Sequence, residues 1–394
     1  MKPLQQKLSR YTAPQEAKAA GIYPYFTPIS SEQDTEVIVN GNKVLMFGSN
    51  SYLGLTNHPK IKEAAKAAID KYGTGCAGSP FLNGTLDIHV QLQRELAEFL
   101  GKDDVMLFSA GFQANSGTIP CVVGRNDYLV YDELVHASIM EGKLITFANT
   151  FKYKHCNMED LERVLQKIPV DASKLVVTDG VFSMEGDVAP VDKMVEICDK
   201  YQATLMVDEA HGLGVFGREG RGTADHYNCL DKVEIIMGTF SKSLASVGGF
   251  VATDKETINY MKHSVRPYIF TASIPPAATA AVLASLKIMR SEPERNVSLW
   301  DNQRYALNAF RTLGFEIGNT QSPIIPLYIR DDNKTFRLTH MIFEEGIFVT
   351  PVVPPAVPPK DTLIRFALMA THNHEQIDRA VDKIYKCFKK EGVL

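Results

Sequence analysis

From about residue 48 to residue 290 the chain alternates short apolar runs with longer stretches of helical period, and no other feature constrains the fold as much. The runs at 105–108, 128–131, 175–178, 204–207, 234–237 and 249–252 read as strands. They are apolar at successive positions and not only at every second one, so both faces of each strand need cover. That is the situation of a mainly parallel sheet with helices on both sides. The expected fold class is therefore α/β, built from βαβ units.

The flanks follow other patterns. Residues 1–47 read as an N-terminal arm with Pro24, Pro28 and a polar stretch from Ser30 to Glu36, ending in a hairpin that turns at Asn40-Gly41. Residues 48–290 read as the large domain. In its first helix Pro59 occupies an opening position, Ile61, Ala64, Ala65, Ala68 and Ile69 share a face, and Gly73 follows the end. Thr85 is expected to cap the next helix, with Leu92, Leu96 and Phe99 facing inward. After a helix from Pro276 to about Arg290, strand patterns at 324–329, 348–351 and 363–368 and helical patterns at 334–345 and 374–390 describe a smaller α+β domain over 291–394. The proline-rich stretch 351–359 reads as a stiff connection, with a substrate-facing loop as the alternative.

The net charge of −4, with no long run of Lys and Arg, leaves no electrostatic footprint for nucleic acid or an anionic membrane surface. The six cysteines are too scattered for a zinc knuckle or a redox dithiol, so reduced thiols and no metal are expected. The N-terminus lacks the apolar run of a signal peptide, and no stretch of about eighteen apolar residues suggests a spanning helix. A cytoplasmic location follows as an expectation, with any contact to an inner membrane peripheral.

Chemistry concentrates in two segments. In Leu205-Met206-Val207-Asp208-Glu209-Ala210-His211 an apolar strand ends in an acid, and a histidine follows three residues later. The carboxyl ends of strands are where open α/β sheets bind ligands. In Gly238-Thr239-Phe240-Ser241-Lys242-Ser243-Leu244-Ala245 the lysine is the only charge. An ammonium among apolar residues and hydroxyls is costly unless its charge is compensated or its chemistry consumes it. A Schiff base between Lys242 and pyridoxal phosphate (PLP) would consume it. Asp208 would keep the pyridine nitrogen protonated, so that the ring can accept electrons from an amino-acid carbanion. Either residue alone reads as well as a helix cap or a snorkelling lysine.

With Asn50-Ser51-Tyr52-Leu53-Gly54-Leu55 near the start and Ile364-Arg365-Phe366-Ala367 near the end, the chain resembles the α-oxoamine synthases, fold-type I PLP enzymes that condense an amino acid with an acyl-CoA. The resemblance implies a seven-stranded, mainly parallel sheet in the large domain. It also assigns roles position by position. Gly111 and Phe112, in Ser109-Ala110-Gly111-Phe112-Gln113, match the helix start whose amides hold the cofactor phosphate, an arrangement favoured by free N–H groups and the helix dipole. His136, in Asp132-Glu133-Leu134-Val135-His136, matches the histidine that stacks on the pyridine ring, touches the substrate carboxylate and takes part in proton transfer. Ser183 and His211 match the groups at the ring's phenolic oxygen. Thr239 matches a phosphate ligand, Ser241 lies beside it, and Thr271 matches a phosphate ligand donated by a neighbouring subunit, which implies a homodimer. Arg365 matches the clamp on the substrate carboxylate, and Asn50 adds a hydrogen bond to the same substrate.

Within the family, the residues from Thr239 to Ser246 are most similar to members that use L-serine and palmitoyl-CoA, giving 3-ketodihydrosphingosine, CoA and CO2. Synthases that take glycine or alanine with a shorter acyl-CoA are the alternative. A non-catalytic partner subunit is an alternative of another class, opposed by the presence of Lys242.

Overall fold

The computed structural model describes residues 1–394. A hairpin of β1 (Glu36–Val39) and β2 (Asn42–Met46) opens the ordered sheet structure, and Asn40 and Gly41 both take positive φ at its turn, as a two-residue hairpin requires. The large sheet contains β3 (Asp104–Phe108), β4 (Tyr128–Asp132), β5 (Asn149–Tyr153), β6 (Lys174–Asp179), β7 (Thr204–Asp208), β8 (Ile235–Thr239) and β9 (Gly249–Thr253). Its order is β3-β9-β8-β7-β6-β4-β5, and only β9 runs antiparallel to its neighbours.

Successive residues of the central strands enter different cores, which is why these strands are apolar throughout. Val176 belongs to the cluster on one face, with Leu96, Val130 and Leu205. Leu175 and Val177 join Met106, Leu129 and Met206 on the other. The expected strands are all present. The edge strand β5 escaped detection because Asn149-Thr150-Phe151-Lys152-Tyr153 is polar and largely exposed.

A second sheet, ordered β10-β13-β12, is formed by β10 (Ile324–Tyr328), β12 (Thr350–Val352) and β13 (Leu363–Ala367), while the two-residue β11 (Ile347–Phe348) pairs in parallel with β2. The single strand expected at 348–351 is thus two, broken at Val349, and its halves serve different sheets. Phe47, just after the hairpin, stacks on Phe366 and on His372 at centroid distances of 4.3 and 4.2 Å, so the end of the N-terminal segment packs into the C-terminal core. A 19-residue helix, Glu294–Thr312, was not legible: its buried face includes Asn302 and Gln303, which dilute the apolar period. No helix of the chain is long and apolar enough to cross a membrane.

The N-terminal helices α1 (Pro3–Leu8) and α2 (Ala13–Ala19) bury no side chain. In α3 (Pro59–Tyr72) Ile61 and Ala68 are buried as expected, but Ile69 is exposed, at the edge of the inward stripe. Thr85 does not cap α4 (Asp87–Leu100); its hydroxyl donates to the Pro80 carbonyl, and the Leu86 amide at the helix entrance donates instead to His89 Nδ1 at 3.0 Å. Helices α5 (Gly111–Val122) and α6 (Ala137–Ile145) start just after β3 and β4 and point their N-termini to the edge where β6, β7 and β8 end.

Candidate active site

Three neighbouring strands end at one cavity. Register places Asp179 of β6 opposite Asp208 of β7, and Asp208 opposite Met237 of β8, two residues before Thr239. Lys242 follows in the tight segment between β8 and β9. A cavity of about 460 Å3 is lined by Asp179, Asp208, His136, His211, Thr239 and Lys242, with Ser183 and Ser241 at its margin. Lys242 is partly exposed and lines this cavity. Burial pushes its ammonium down to about 8, against the opposing pull of Asp208.

Asp208 is held from two sides: Asn115 Nδ2 donates to Oδ2 at 2.6 Å, and the Ala210 amide donates to Oδ1 at 2.8 Å. The two bonds fix the orientation of the carboxyl group in the cavity wall. Asp179 is its neighbour, and burial together with the charge of Asp208 raises its carboxyl well above the usual range. Its Oδ2 accepts the His136 backbone N–H at 2.8 Å, which fixes the start of α6. The His136 ring turns Nδ1 to the Ser138 hydroxyl at 2.7 Å and leaves its other edge to the cavity; burial lowers its pKa.

His211 Nδ1 and the Tyr52 hydroxyl are 2.6 Å apart, and Arg365 Nη2 donates to the same hydroxyl at 3.1 Å. Burial, with Lys242 and Arg365 nearby, holds His211 well below the ordinary histidine range, so its ring is neutral. Arg365, only 5% exposed, has no carboxylate partner; its Nε donates to the Ser183 carbonyl at 2.7 Å. Two neutral acceptors pin the guanidinium without neutralising it, which leaves a fixed positive charge facing the cavity. Asn50 lines the adjoining space, and its Oδ1 is buried without a partner.

A further layer ties two walls together. His155 bridges Asp132 (Nδ1 to Oδ1, 3.0 Å) and Asp187 (Nε2 to Oδ2, 3.3 Å), linking the segment that leads to His136 with the turn that carries Ser183. Burial opposes a charge on this ring, but the two carboxylates outweigh it and raise its pKa to about 12.

The donor set fits pyridoxal phosphate. A lysine amine faces the cavity with a carboxylate in the same walls. The first amides of α5 have no intrahelical acceptor and can meet a phosphate. At Gly111 an added Cβ would lie 2.6 Å from Thr239 Oγ1, so only glycine lets the helix start lie flush against that hydroxyl. Phe112 is half exposed at the rim, and Thr239 Oγ1 and Ser241 Oγ are 3.0 Å apart. Among the residues expected from sequence, Thr271 is the one placed elsewhere: it lines a separate space of about 190 Å3 with His89 and Tyr268. Sequence reasoning missed Asn115, Tyr52 and Asp179. Asp179 carries the same signal as Asp208, an acid ending an apolar run, whereas a single Asn within a helix or a Tyr in a loop carries none.

The aminotransferase class I and II family model matches residues 42–384. The chain is 57% identical over 391 residues to the serine palmitoyltransferase of Bacteroides thetaiotaomicron, covering 99% of both chains. It is 40% identical over 379 residues to the 8-amino-7-oxononanoate synthase of Thermoanaerobacter pseudethanolicus, covering 96% of this chain and 95% of that one. Among solved structures it is similar to serine palmitoyltransferase from S. paucimobilis with a bound PLP-myriocin aldimine, at a TM-score of 0.97 and 31% identity over 100% of both chains.

Proposed function

The chain belongs to the α-oxoamine synthases within the class I and II aminotransferase family, and we propose that it joins L-serine to palmitoyl-CoA with loss of CO2 at the cavity around Lys242. One observation carries this reading: Lys242 and Asp208 on the large domain share a cavity system with an unneutralised Arg365 on the small one. Lys242 would anchor PLP and Asp208 would face its ring nitrogen, and the bound cofactor would supply a ring able to stabilise negative charge at the serine Cα.

The chain's own residues do the rest. Arg365, pinned by Ser183 and Tyr52, offers its remaining N–H groups to the serine carboxylate. His136 flanks that carboxylate, and Asn50 Oδ1 finds in the amino acid the donor it otherwise lacks. Fixing the carboxylate fixes the rotation about Cα, and so decides which bond is weakened. With its pKa lowered to about 8, Lys242 Nζ sheds its proton more readily than a free lysine, and in its neutral form it can take the Cα proton. Burial keeps His211 neutral beside Lys242 and Arg365.

The palmitoyl chain needs an apolar route. Val352, Val353 and Ala356, with prolines that lack N–H groups, line a cavity of about 680 Å3 that opens from Lys242. Thr271, outside the Lys242 cavity of its own chain, would serve a partner's phosphate site, which makes a homodimer the active unit. This would be the entry reaction of sphingolipid synthesis. The test is to supply PLP, L-serine and palmitoyl-CoA and follow free CoA thiol and product mass. Serine-dependent CoA release with 3-ketodihydrosphingosine is expected; CoA release without serine, or no condensed product, would overturn the reading.

A further inference from the structure

The first twenty residues have no place in the chemistry above, yet they form part of the same cavity. Its floor is Lys242, His136 and Arg365, and one side is the proline-rich stretch at 351–356. The N-terminal arm lines the same cavity with Tyr11, Pro14 and Ala17, then Tyr23 and Tyr25. Pro14 and Ala17 are three positions apart on α2, hence on one face, and they are the partly covered residues of a helix that otherwise lies in solvent.

The arm is lightly attached. Neither α1 nor α2 buries a side chain, and Leu4, Leu8 and Tyr11 are 65, 63 and 72% exposed. Its aromatic tether is edge-on: Tyr23 meets Tyr25 at 5.6 Å, and Tyr25 meets Phe336 of the small domain at 6.0 Å. A short apolar face turned to a cavity, and not to a core, lacks the burial that would hold it in place unless something apolar fills that cavity.

Charge supplies an independent pointer. In a chain with net charge −4, the first twenty residues hold Lys2, Lys7, Arg10 and Lys18 against the single acid Glu16. Glu16 is already engaged by the Thr12 hydroxyl at 2.6 Å. The arm is thus apolar toward the cavity and basic toward solvent. An acyl-CoA has the matching division, an alkyl chain followed by a phosphorylated nucleotide.

We propose that the N-terminal arm forms the outer wall of an acyl-CoA subsite, with Pro14, Ala17, Tyr23 and Tyr25 against the acyl chain and the basic residues toward the CoA phosphates. This rests on the reading of the Lys242 cavity as a condensation site, and it assigns selection of chain length to a segment remote from the reacting atoms. The arm closes over the thioester as it binds, because ligand and arm each cover apolar surface that the other leaves open.

The holoenzyme tests this in two arms. Ala17→Trp should fill the outer part of the cavity and lower kcat/KM for palmitoyl-CoA about tenfold relative to decanoyl-CoA, the equivalent of losing roughly two buried methylenes, with the serine KM unchanged. Replacing Lys2, Lys7, Arg10 and Lys18 by Ala together should raise the KM for palmitoyl-CoA about threefold to tenfold and flatten its salt dependence. The phosphate-free thioester S-palmitoyl-N-acetylcysteamine should be turned over as by the wild type. An unchanged chain-length profile in Ala17→Trp, or equal losses with both thioesters in the charge variant, would overturn the proposal. The wild-type chain in the same series reports on the underlying reading: no serine-dependent thiol release from any thioester would overturn both, whereas normal wild-type turnover with unresponsive variants overturns the arm's role alone.

Discussion

The two domains meet at one cavity and contribute opposite kinds of residue. The carboxyl edge of the large sheet supplies titratable groups whose environments push them apart: Lys242 down to about 8, Asp179 up, His211 down. The small domain supplies Arg365, a buried guanidinium held by two neutral acceptors, the Ser183 carbonyl and the Tyr52 hydroxyl. The difference separates tasks. On the proposed reading, proton transfer falls to the strand ends, where acids and amines share a field, and orientation of the substrate falls to the guanidinium of the small domain. The large side should govern chemistry, and the small side should govern substrate affinity.

The widest gap between the two sides should come from Lys242→Ala. It removes the cofactor anchor and the base, so turnover should fall by roughly a thousandfold or more while circular dichroism stays native. Condensation near the wild-type rate by the folded variant would erase the distinction. Asp208→Asn should follow, with exchange of the serine Cα proton for deuterium slowed by about a hundredfold or more while PLP still binds, since a neutral amide no longer holds the ring-nitrogen proton. Exchange at the wild-type rate would show that Asp208 serves the fold alone.

On the small-domain side the first effect is on stability. Burial lowers His372 to about 4; its Nδ1 accepts the Met369 amide at 2.9 Å, and Nε2 lies 3.0 Å from the Met46 carbonyl. The unfolded chain therefore takes up a proton on this group near pH 6.5 that the folded chain refuses until about 4. Stability is flat with respect to this group above about pH 6.5 and falls as the pH drops toward 4, by roughly 3 kcal/mol in all. Urea titrations between pH 7 and 5 should show a smaller slope in His372→Asn than in the wild type. A parallel pair of curves would mean that His372 does not carry the effect. Arg365→Ala should come last, raising the serine KM by about tenfold to a hundredfold with the lysine-bound cofactor's visible band unchanged. A loss in kcat with no change in KM would move Arg365 to the chemical side of the comparison.

Legibility in the sequence followed the same division. The large sheet and its strand-end acid and lysine could be read because buried parallel strands are apolar throughout, so a charge at their end stands out. The helix Glu294–Thr312 could not, since it buries two polar residues, Asn302 and Gln303, and Asn302 Nδ2 donates to the Met369 and His372 carbonyls of a small-domain loop. Tyr52 was silent for a related reason. It acts only by standing between His211 and Arg365, residues 159 and 313 positions away, and pairings of that separation leave no local pattern. Arg365 was legible through the family resemblance, and its place as a cation on a buried strand agrees with the tendency of such local violations to gather at functional sites.

The central claim is that this cavity joins serine to a long-chain thioester, and competition between substrates tests it most directly. Equal concentrations of L-serine, glycine and L-alanine, offered with palmitoyl-CoA, acetyl-CoA and a short dicarboxylic acyl-CoA, would be followed by product mass to give relative kcat/KM values. Each additional buried methylene contributes roughly 0.8 kcal/mol, so efficiency should climb steeply with chain length toward about sixteen carbons, with serine preferred. A higher kcat/KM for glycine with acetyl-CoA, or for alanine with the dicarboxylic thioester, would contradict it.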